Sequence, residues 1–223
     1  MKIVILYAVA VEGQLINETS FLGHNVFSYE TGMGKVNAAH ICTLAIERHC
    51  PDLVISIGIC GAYPGTDIQI GDVAIAEREV YGDEGVVLKD GFHGLEKIGI
   101  ALFKDADMEF FNVFEFDRRL IDNVFKGLSA SGMFRYTKGT FLTLSTCTGT
   151  LERALQLKEM FDPICENMEG AAIAHVCAIS HTPLLEIRGV SNIVEDRDMS
   201  KWNIEQAVEN CQQSVILLIN SMR

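Results

Sequence analysis

The run Cys165–Asn192, CENMEGAAIAHVCAISHTPLLEIRGVSN, limits the fold more than any other stretch of the chain. Met168, Ala171, Ala172, Val176 and Ile179 recur at helical spacing, which predicts one buried helical face. His181-Thr182-Pro183 ends that helix, because Pro183 lacks an N–H donor and pushes its neighbour out of the α region. Leu184–Val190 then reads as a short buried strand, and Ser191-Asn192 falls where that strand should leave its sheet. Ligands of open α/β sheets bind outside the carboxyl ends of the strands. Two polar side chains therefore stand out, Glu169 near the helix start and Asn192 after the strand. A carboxylate at a helix N-terminus also has a plainer reading, complementarity to the helix dipole.

The 223 residues are expected to form a single domain, 1–223. A net charge of −12 argues against nucleic acid or an anionic membrane as partner, since both demand a cationic face. The seven cysteines are odd in number and contain no C-x-x-C pair, which fits reduced thiols in a cytoplasmic protein better than a disulfide framework or a zinc site. The six histidines form no ligand-spaced pair, so no metal is expected. Ile3–Val11 is apolar after Lys2 and includes Ala8-Val9-Ala10, which looks like a cleavage site. Its basic region is a single lysine, and a first buried strand is the favoured reading. No stretch approaches the ~20 apolar residues of a membrane span.

Further along, Ile3–Tyr7 reads as a strand with Glu12 at its carboxyl end; an exposed loop acid is the plain alternative for Glu12. Phe27–Glu30 reads as another strand. Thr31-Gly32-Met33-Gly34-Lys35-Val36-Asn37 opens a helix reaching about His49. A dinucleotide fingerprint would need glycine at Asn37, and a P-loop would need Ser or Thr at Val36, so both phosphate motifs fail. Leu53–Ile57 is a strand ending in Gly58-Ile59-Cys60-Gly61. These glycines either leave room for a ligand or make a tight turn. Cys60 suits packing better than nucleophilic attack. Gly71–Ala76 is a turn and strand, Gly91–Gly94 a mobile turn, Phe116–Leu128 a helix and Gly139–Leu144 a strand. Thr148 or Thr150 is expected to cap the helix that follows, though Ser145–Thr150 could also bind phosphate through backbone N–H groups. Phe92, Phe103, Phe110, Phe111, Phe114 and Phe116 suit a satellite core or subunit interface, with an aryl pocket as the alternative. Asn203–Met222 is an amphipathic helix with Ala207, Cys211, Val215 and Leu218 on one face.

Asn167-Met168-Glu169-Gly170-Ala171-Ala172, followed by Glu186–Asn192, resembles the purine nucleoside phosphorylase / nucleosidase superfamily, as do Gly32–Ala39 and Gly58–Gly61. The resemblance implies a three-layer α/β/α fold around a twisted mixed sheet, nucleoside phosphorylase-like, and a homo-oligomer. Glu186-Ile-Arg-Gly-Val-Ser-Asn192, with Arg197-Asp198 and Trp202, favours the branch of futalosine nucleosidases in menaquinone biosynthesis. The substrate is then a small nucleoside, and no cofactor or metal is needed. Glu12 would activate water and Glu169 would hold the ribose hydroxyls. Met168 would pack on the ribose, Cys60 and Gly61 would line the ribose and base pocket, and Asn192, beside Ser191, would face the purine. Arg188 would orient a carboxylate, or simply form a structural ion pair with Glu186. Nucleosidases for adenine nucleosides carry Asp at the Asn192 position, and an amide there suits a 6-oxopurine. Superfamily phosphorylases hold phosphate with arginines, whereas Tyr7–Tyr29 and Gly58–Glu77 contain no cation, so water is the expected nucleophile. The alternatives are a 5′-methylthioadenosine/S-adenosylhomocysteine nucleosidase or other purine nucleosidase, then a phosphorylase, then a non-catalytic nucleoside binder.

Overall fold

A computed structural model describes residues 1–222. The chain begins with β1 (Lys2–Tyr7), α1 (Ala10–Glu18), β2 (Asn25–Glu30), α2 (Lys35–His49), β3 (Leu53–Ala62) and β4 (Val73–Tyr81). Two small hairpins follow, β5 (Val86–Leu88) with β6 (Gly91–His93) and β7 (Phe103–Asp105) with β8 (Met108–Phe110). The remainder is β9 (Val113–Glu115), α3 (Arg118–Ser131), β10 (Tyr136–Thr143), α4 (Leu151–Phe161), β11 (Cys165–Asn167), α5 (Gly170–Ile179), β12 (Leu184–Ile193) and α6 (Ile204–Ser221).

Strand β1 shows why the fold has three layers. Ile3, Ile5 and Tyr7 pack on one side with residues of α1, α3 and α6, while Val4 and Leu6 pack on the other with α2 and α5. The period-2 alternation of a strand is therefore apolar on both faces, as expected of a sheet covered by helices on both sides. Each such aliphatic side chain contributes about 1.5–3 kcal/mol by burial. The predicted face of α6, Ala207, Cys211, Val215 and Leu218, is buried against this sheet.

The eight-stranded sheet runs β11-β10-β4-β12-β3-β1-β2, with β9 added to β4. It is mixed: β12 is parallel to β3 but antiparallel to β4. The short strand β11 pairs in parallel with β10 and antiparallel with β3, which curls the sheet back on itself beside the carboxyl end of β3.

Several segments differ from expectation. Cys165–Asn167 is strand β11, because its backbone is taken by β3 and β10, and the helix starts only at Gly170. Ile179, assigned to the buried helical face, is 53% exposed at the helix end. Gly58–Ala62 is not a turn but the last part of β3, held between β12 and β11. Ser191-Asn192 does not leave the sheet; β12 continues to Ile193 across a register shift between Val190 and Asn192. Gly91–His93 is a strand paired with Val86–Leu88 rather than a turn. Thr150, not Thr148, caps α4, accepting from Arg153 N. Phe103, Phe110 and Phe114 stack with one another and, through Phe103 and Phe114, on His175 of α5, and they join the core that Val4 and Leu6 share with α2 and α5 rather than forming a separate satellite core.

Candidate active site

The carboxyl ends of β1, β3 and β12 open onto a cavity of about 220 Å³, the location expected for ligands of an α/β sheet. Glu12, Cys60, Gly61, Met168, Glu169, Arg188, Ser191 and Asn192 all line it. A larger groove of about 720 Å³ lies at the opposite edge, around Leu53, Pro183 and Leu184. It holds none of the buried carboxylates described next, so size alone does not locate the chemistry.

Glu12 lies in the first turn of α1 and folds back over the end of β1. Its Oε2 accepts from Ala8 N (3.0 Å) and Val9 N (3.2 Å), and its Oε1 accepts from Ile59 N at the end of β3 (3.0 Å). Only 5% of the residue is exposed. Burial pushes the Glu12 carboxyl above the usual carboxylate range, against the opposing pull of Arg188 and the backbone donors. Gly58 makes this approach possible. A Cβ there would lie 2.7 Å from Glu12 Oε1 and 2.8 Å from Arg188 Nη1.

Glu169 occupies the N-cap position of α5 but does not cap it. Asn167 does so instead, its Oδ1 accepting from Glu169 N (3.0 Å) and Gly170 N (2.7 Å). The Glu169 carboxylate is thereby free to turn into the cavity, where its Oε1 accepts from Gly34 N (2.8 Å). Gly32 and Gly34 have φ of +81° and +93°, a conformation that lets the loop before α2 deliver that N–H.

Arg188 joins the carboxylates. Its Nε donates to Glu186 Oε1 (2.7 Å), and its Nη1 lies 3.8 Å from Glu169 Oε2 and donates to Ile59 O (3.3 Å). Burial opposes the charge on Arg188, but Glu186, Glu169 and Glu12 outweigh it and raise its pKa. Arg188 is the one cationic side chain among the described residues lining the cavity.

Behind Glu186 sits a residue the sequence reading passed over. Glu79 on β4 is fully buried and accepts from Thr143 Oγ1 (2.8 Å) and Asn167 Nδ2 (2.5 Å). Burial, then the charge on Glu186, push its carboxyl well above the usual range. Glu186 Oε2 has no hydrogen-bond partner among the described residues, and burial raises the pKa of Glu186 as well, against the pull of Arg188. Both converge on Gly170, where a Cβ would lie 2.0 Å from Glu79 Oε1 and 2.6 Å from each Glu186 oxygen.

At the far end of the cavity, Asn192 Oδ1 accepts from Ser191 Oγ (2.7 Å) and its Nδ2 donates to Ile193 O (3.2 Å), which sets the amide orientation. Thr146, Cys147, Thr148, Glu166 and Trp202 complete this end, and Arg197 stacks over the Trp202 ring at 4.8 Å. The sequence reading gave Glu166 no role. The six phenylalanines offered for an aryl pocket do not line the cavity; Phe110, Phe114 and Phe116 border the distant groove. Among the described residues there is no cluster suited to a metal ion and no helix long and apolar enough to cross a membrane.

The family described as the phosphorylase superfamily matches residues 13–220. A futalosine hydrolase of Thermus thermophilus is 32% identical, over 85% of this chain and 79% of its own. A 5′-methylthioadenosine/S-adenosylhomocysteine nucleosidase of Bacillus velezensis is 30% identical, over 90% of this chain and 83% of its own. An S-adenosylhomocysteine nucleosidase structure from Streptococcus pyogenes, with 5-methylthiotubericidin, superposes with a TM-score of 0.84 at 21% identity, covering 100% of this chain and 98% of that one.

Proposed function

This chain belongs to the phosphorylase superfamily and is a nucleosidase that hydrolyses N-glycosidic bonds, and we propose that its substrate is futalosine, from which it releases hypoxanthine and leaves dehypoxanthine futalosine, in menaquinone biosynthesis. The observation that carries the choice is Asn192, an amide in place of the Asp of adenine nucleosidases. An amide N–H donates to N7 or O6 of a 6-oxopurine, whereas adenine presents a 6-amino group that asks for an acceptor. A site built for one pattern rejects the other by large factors.

N-glycosidic cleavage needs negative charge near an oxocarbenium-like sugar, stabilisation of the leaving purine, and a nucleophile at C1′. Glu12 takes the proton of the attacking water; its raised pKa brings it nearer to neutral pH, where a general base works best. Glu169, anchored through Oε1 by Gly34, accepts from the ribose 2′- and 3′-hydroxyls and supports charge at the sugar. Met168 packs on the ribose. Arg188 holds Glu169 in place while tied to Glu186, and its charge draws the Glu12 pKa down against burial. Water is favoured over phosphate as nucleophile because the cavity's cation is already committed to carboxylates.

A second reading, an adenine nucleosidase, draws on the relative of that activity at 30% identity. Hypoxanthine release from futalosine in phosphate-free buffer, with adenine release from 5′-methylthioadenosine in parallel, separates the two. Hypoxanthine alone is expected. Adenine alone would refute the substrate assignment, and silence until phosphate is added would refute hydrolysis.

A further inference from the structure

Among the described residues, Glu166 is the charged side chain in the cavity wall that the proposed chemistry leaves unused. It is 8% exposed and belongs to β11, the strand that curls the sheet closed. Its position is set by Gly61. In the β3–β11 pairing Glu166 is the partner of Gly61, and in the β3–β12 pairing Asn192 is the partner of the same Gly61. Paired residues of adjacent strands point to the same face of a sheet. The carboxylate and the amide therefore stand on one face, with a residue lacking a side chain between them. Their backbones are two strand spacings apart, roughly 9–10 Å. A Cβ on Gly61 would meet Val194 Cγ2 at 2.9 Å and Asn192 Nδ2 at 3.1 Å, so the gap depends on glycine.

The carboxylate is held as an acceptor. Tyr63 Oη donates to Glu166 Oε2 (2.7 Å), Thr148 Oγ1 donates to the same oxygen (2.7 Å), and Thr148 N donates to Oε1 (2.9 Å). Tyr63 is itself fully buried; burial, then the Glu166 charge, raises its pKa and keeps its phenol a donor. An ionised carboxylate offers about four lone-pair sites and donates nothing. These partners use three, which leaves an acceptor on Oε1 and no donor anywhere on the group.

We propose that Glu166 is a specificity-determining residue that accepts a hydrogen bond from N1–H of a 6-oxopurine, opposite the Asn192 amide. The inference rests on the 6-oxopurine reading above and deepens it. A 6-oxopurine presents acceptors at N7 and O6 and a donor at N1, and the wall presents a donor at Asn192 and an acceptor at Glu166. Adenine reverses the pattern at both places: its 6-amino group meets a donor and its N1 lone pair meets a negative charge. Discrimination against 6-aminopurines then comes from a repulsive group as well as an attractive one.

The test compares Glu166→Gln with the unaltered enzyme on a 6-oxopurine and a 6-aminopurine nucleoside sharing the same sugar. Loss of the charge weakens the bond to N1–H and removes the repulsion of adenine N1. The ratio of kcat/KM, oxo over amino, is expected to fall by about tenfold or more. Equal losses on both substrates would overturn the proposal and leave Glu166 as a clamp on the Thr146–Thr148 loop. A second measurement needs no variant: inhibition of the unaltered enzyme by hypoxanthine against 1-methylhypoxanthine, which lacks N1–H. Inhibition weaker by about 10²-fold with the methylated base is expected, and equal inhibition overturns the proposal. An unaltered enzyme that cleaves only the 6-aminopurine nucleoside would sink the substrate reading itself. An unaltered enzyme that prefers the 6-oxopurine, with an unmoved ratio in Glu166→Gln, would sink only the role of Glu166.

Discussion

Replacing Arg188 by Met tests how the buried charges are held. Arg188 is 2% exposed, Glu186 is fully buried, and the guanidinium also neighbours Glu169 and Glu12. Removing one partner of a buried ion pair costs about 3–5 kcal/mol, because the remaining charge stays desolvated. In a domain of this size each kcal/mol moves Tm by about 2–4 °C, so Arg188→Met should lower Tm by about 6–20 °C near neutral pH. The loss should depend on pH with a definite sign. Burial already raises the Glu186 pKa in the folded protein, and without Arg188 it rises further. A carboxyl whose folded pKa lies above its unfolded value binds more protons when folded. It therefore favours the fold at low pH, and that contribution is lost as pH rises through the folded pKa. The gap between Arg188→Met and the unaltered protein should narrow as pH falls toward the ordinary carboxylate range. Replacing Glu186 by Met as well removes both charges, and the double variant should recover much of the stability without recovering activity. Calorimetric melts of the three proteins between about pH 5 and 8 decide the matter. A single variant that melts within about 2 °C of the unaltered protein, or a gap independent of pH, would refute this account of the cluster.

Glu12→Gln should lower kcat by about 10²–10⁴-fold, since it removes the base but keeps the shape. Because burial raises the Glu12 carboxyl, the acid limb of kcat/KM should lie above the ordinary carboxylate pKa, with activity lost as pH falls through it; a pH–rate profile with its limb at or below that value counts against Glu12. Asn192→Asp should gain activity on adenine nucleosides and lose it on 6-oxopurine nucleosides, read as released base. Gly170→Ala should destabilise by about 1–3 kcal/mol in urea unfolding, since the added Cβ collides with Glu79 and Glu186. Combined with Glu79→Ala, which removes the nearer of the two clashes and leaves the one with Glu186, the two changes should be less than additive by about 1 kcal/mol or more, and strict additivity would show the Glu79 clash to be relieved elsewhere.

The difference between what the sequence disclosed and what it hid follows from the range over which each signal acts. Glu12, Glu169 and Asn192 stood out because each adjoins a local pattern: an apolar strand, a helix start, a strand after a proline stop. Those patterns are short-range, and the structure brings the three side chains to one cavity. Glu79 had no such marker. Within β4 it is one acid in the run Glu77-Arg78-Glu79, and what distinguishes it is Glu186, more than a hundred positions away and reached only because β12 lies beside β4. Glu166 was hidden for a different reason. Reading Cys165 as the start of a helix would set residues 165–167 around a cylinder, with no expectation about a neighbouring strand. As strand β11, the same residues alternate, and the pairing with β3 sends Glu166 to the face that Asn192 occupies. A three-residue strand is too short for its period to register in the sequence. It forms here because β3 and β10 already present unpaired edges, so it is a product of the closed sheet rather than of local preference. The residues proposed for cleavage of the glycosidic bond, and Asn192 among those proposed to choose the base, lie beside local motifs, while Glu166, the second residue proposed to choose the base, depends on strand closure. A motif that ends at Asn192 therefore carries only one half of the proposed base recognition, and the other half follows from the pairing of β11 with β3.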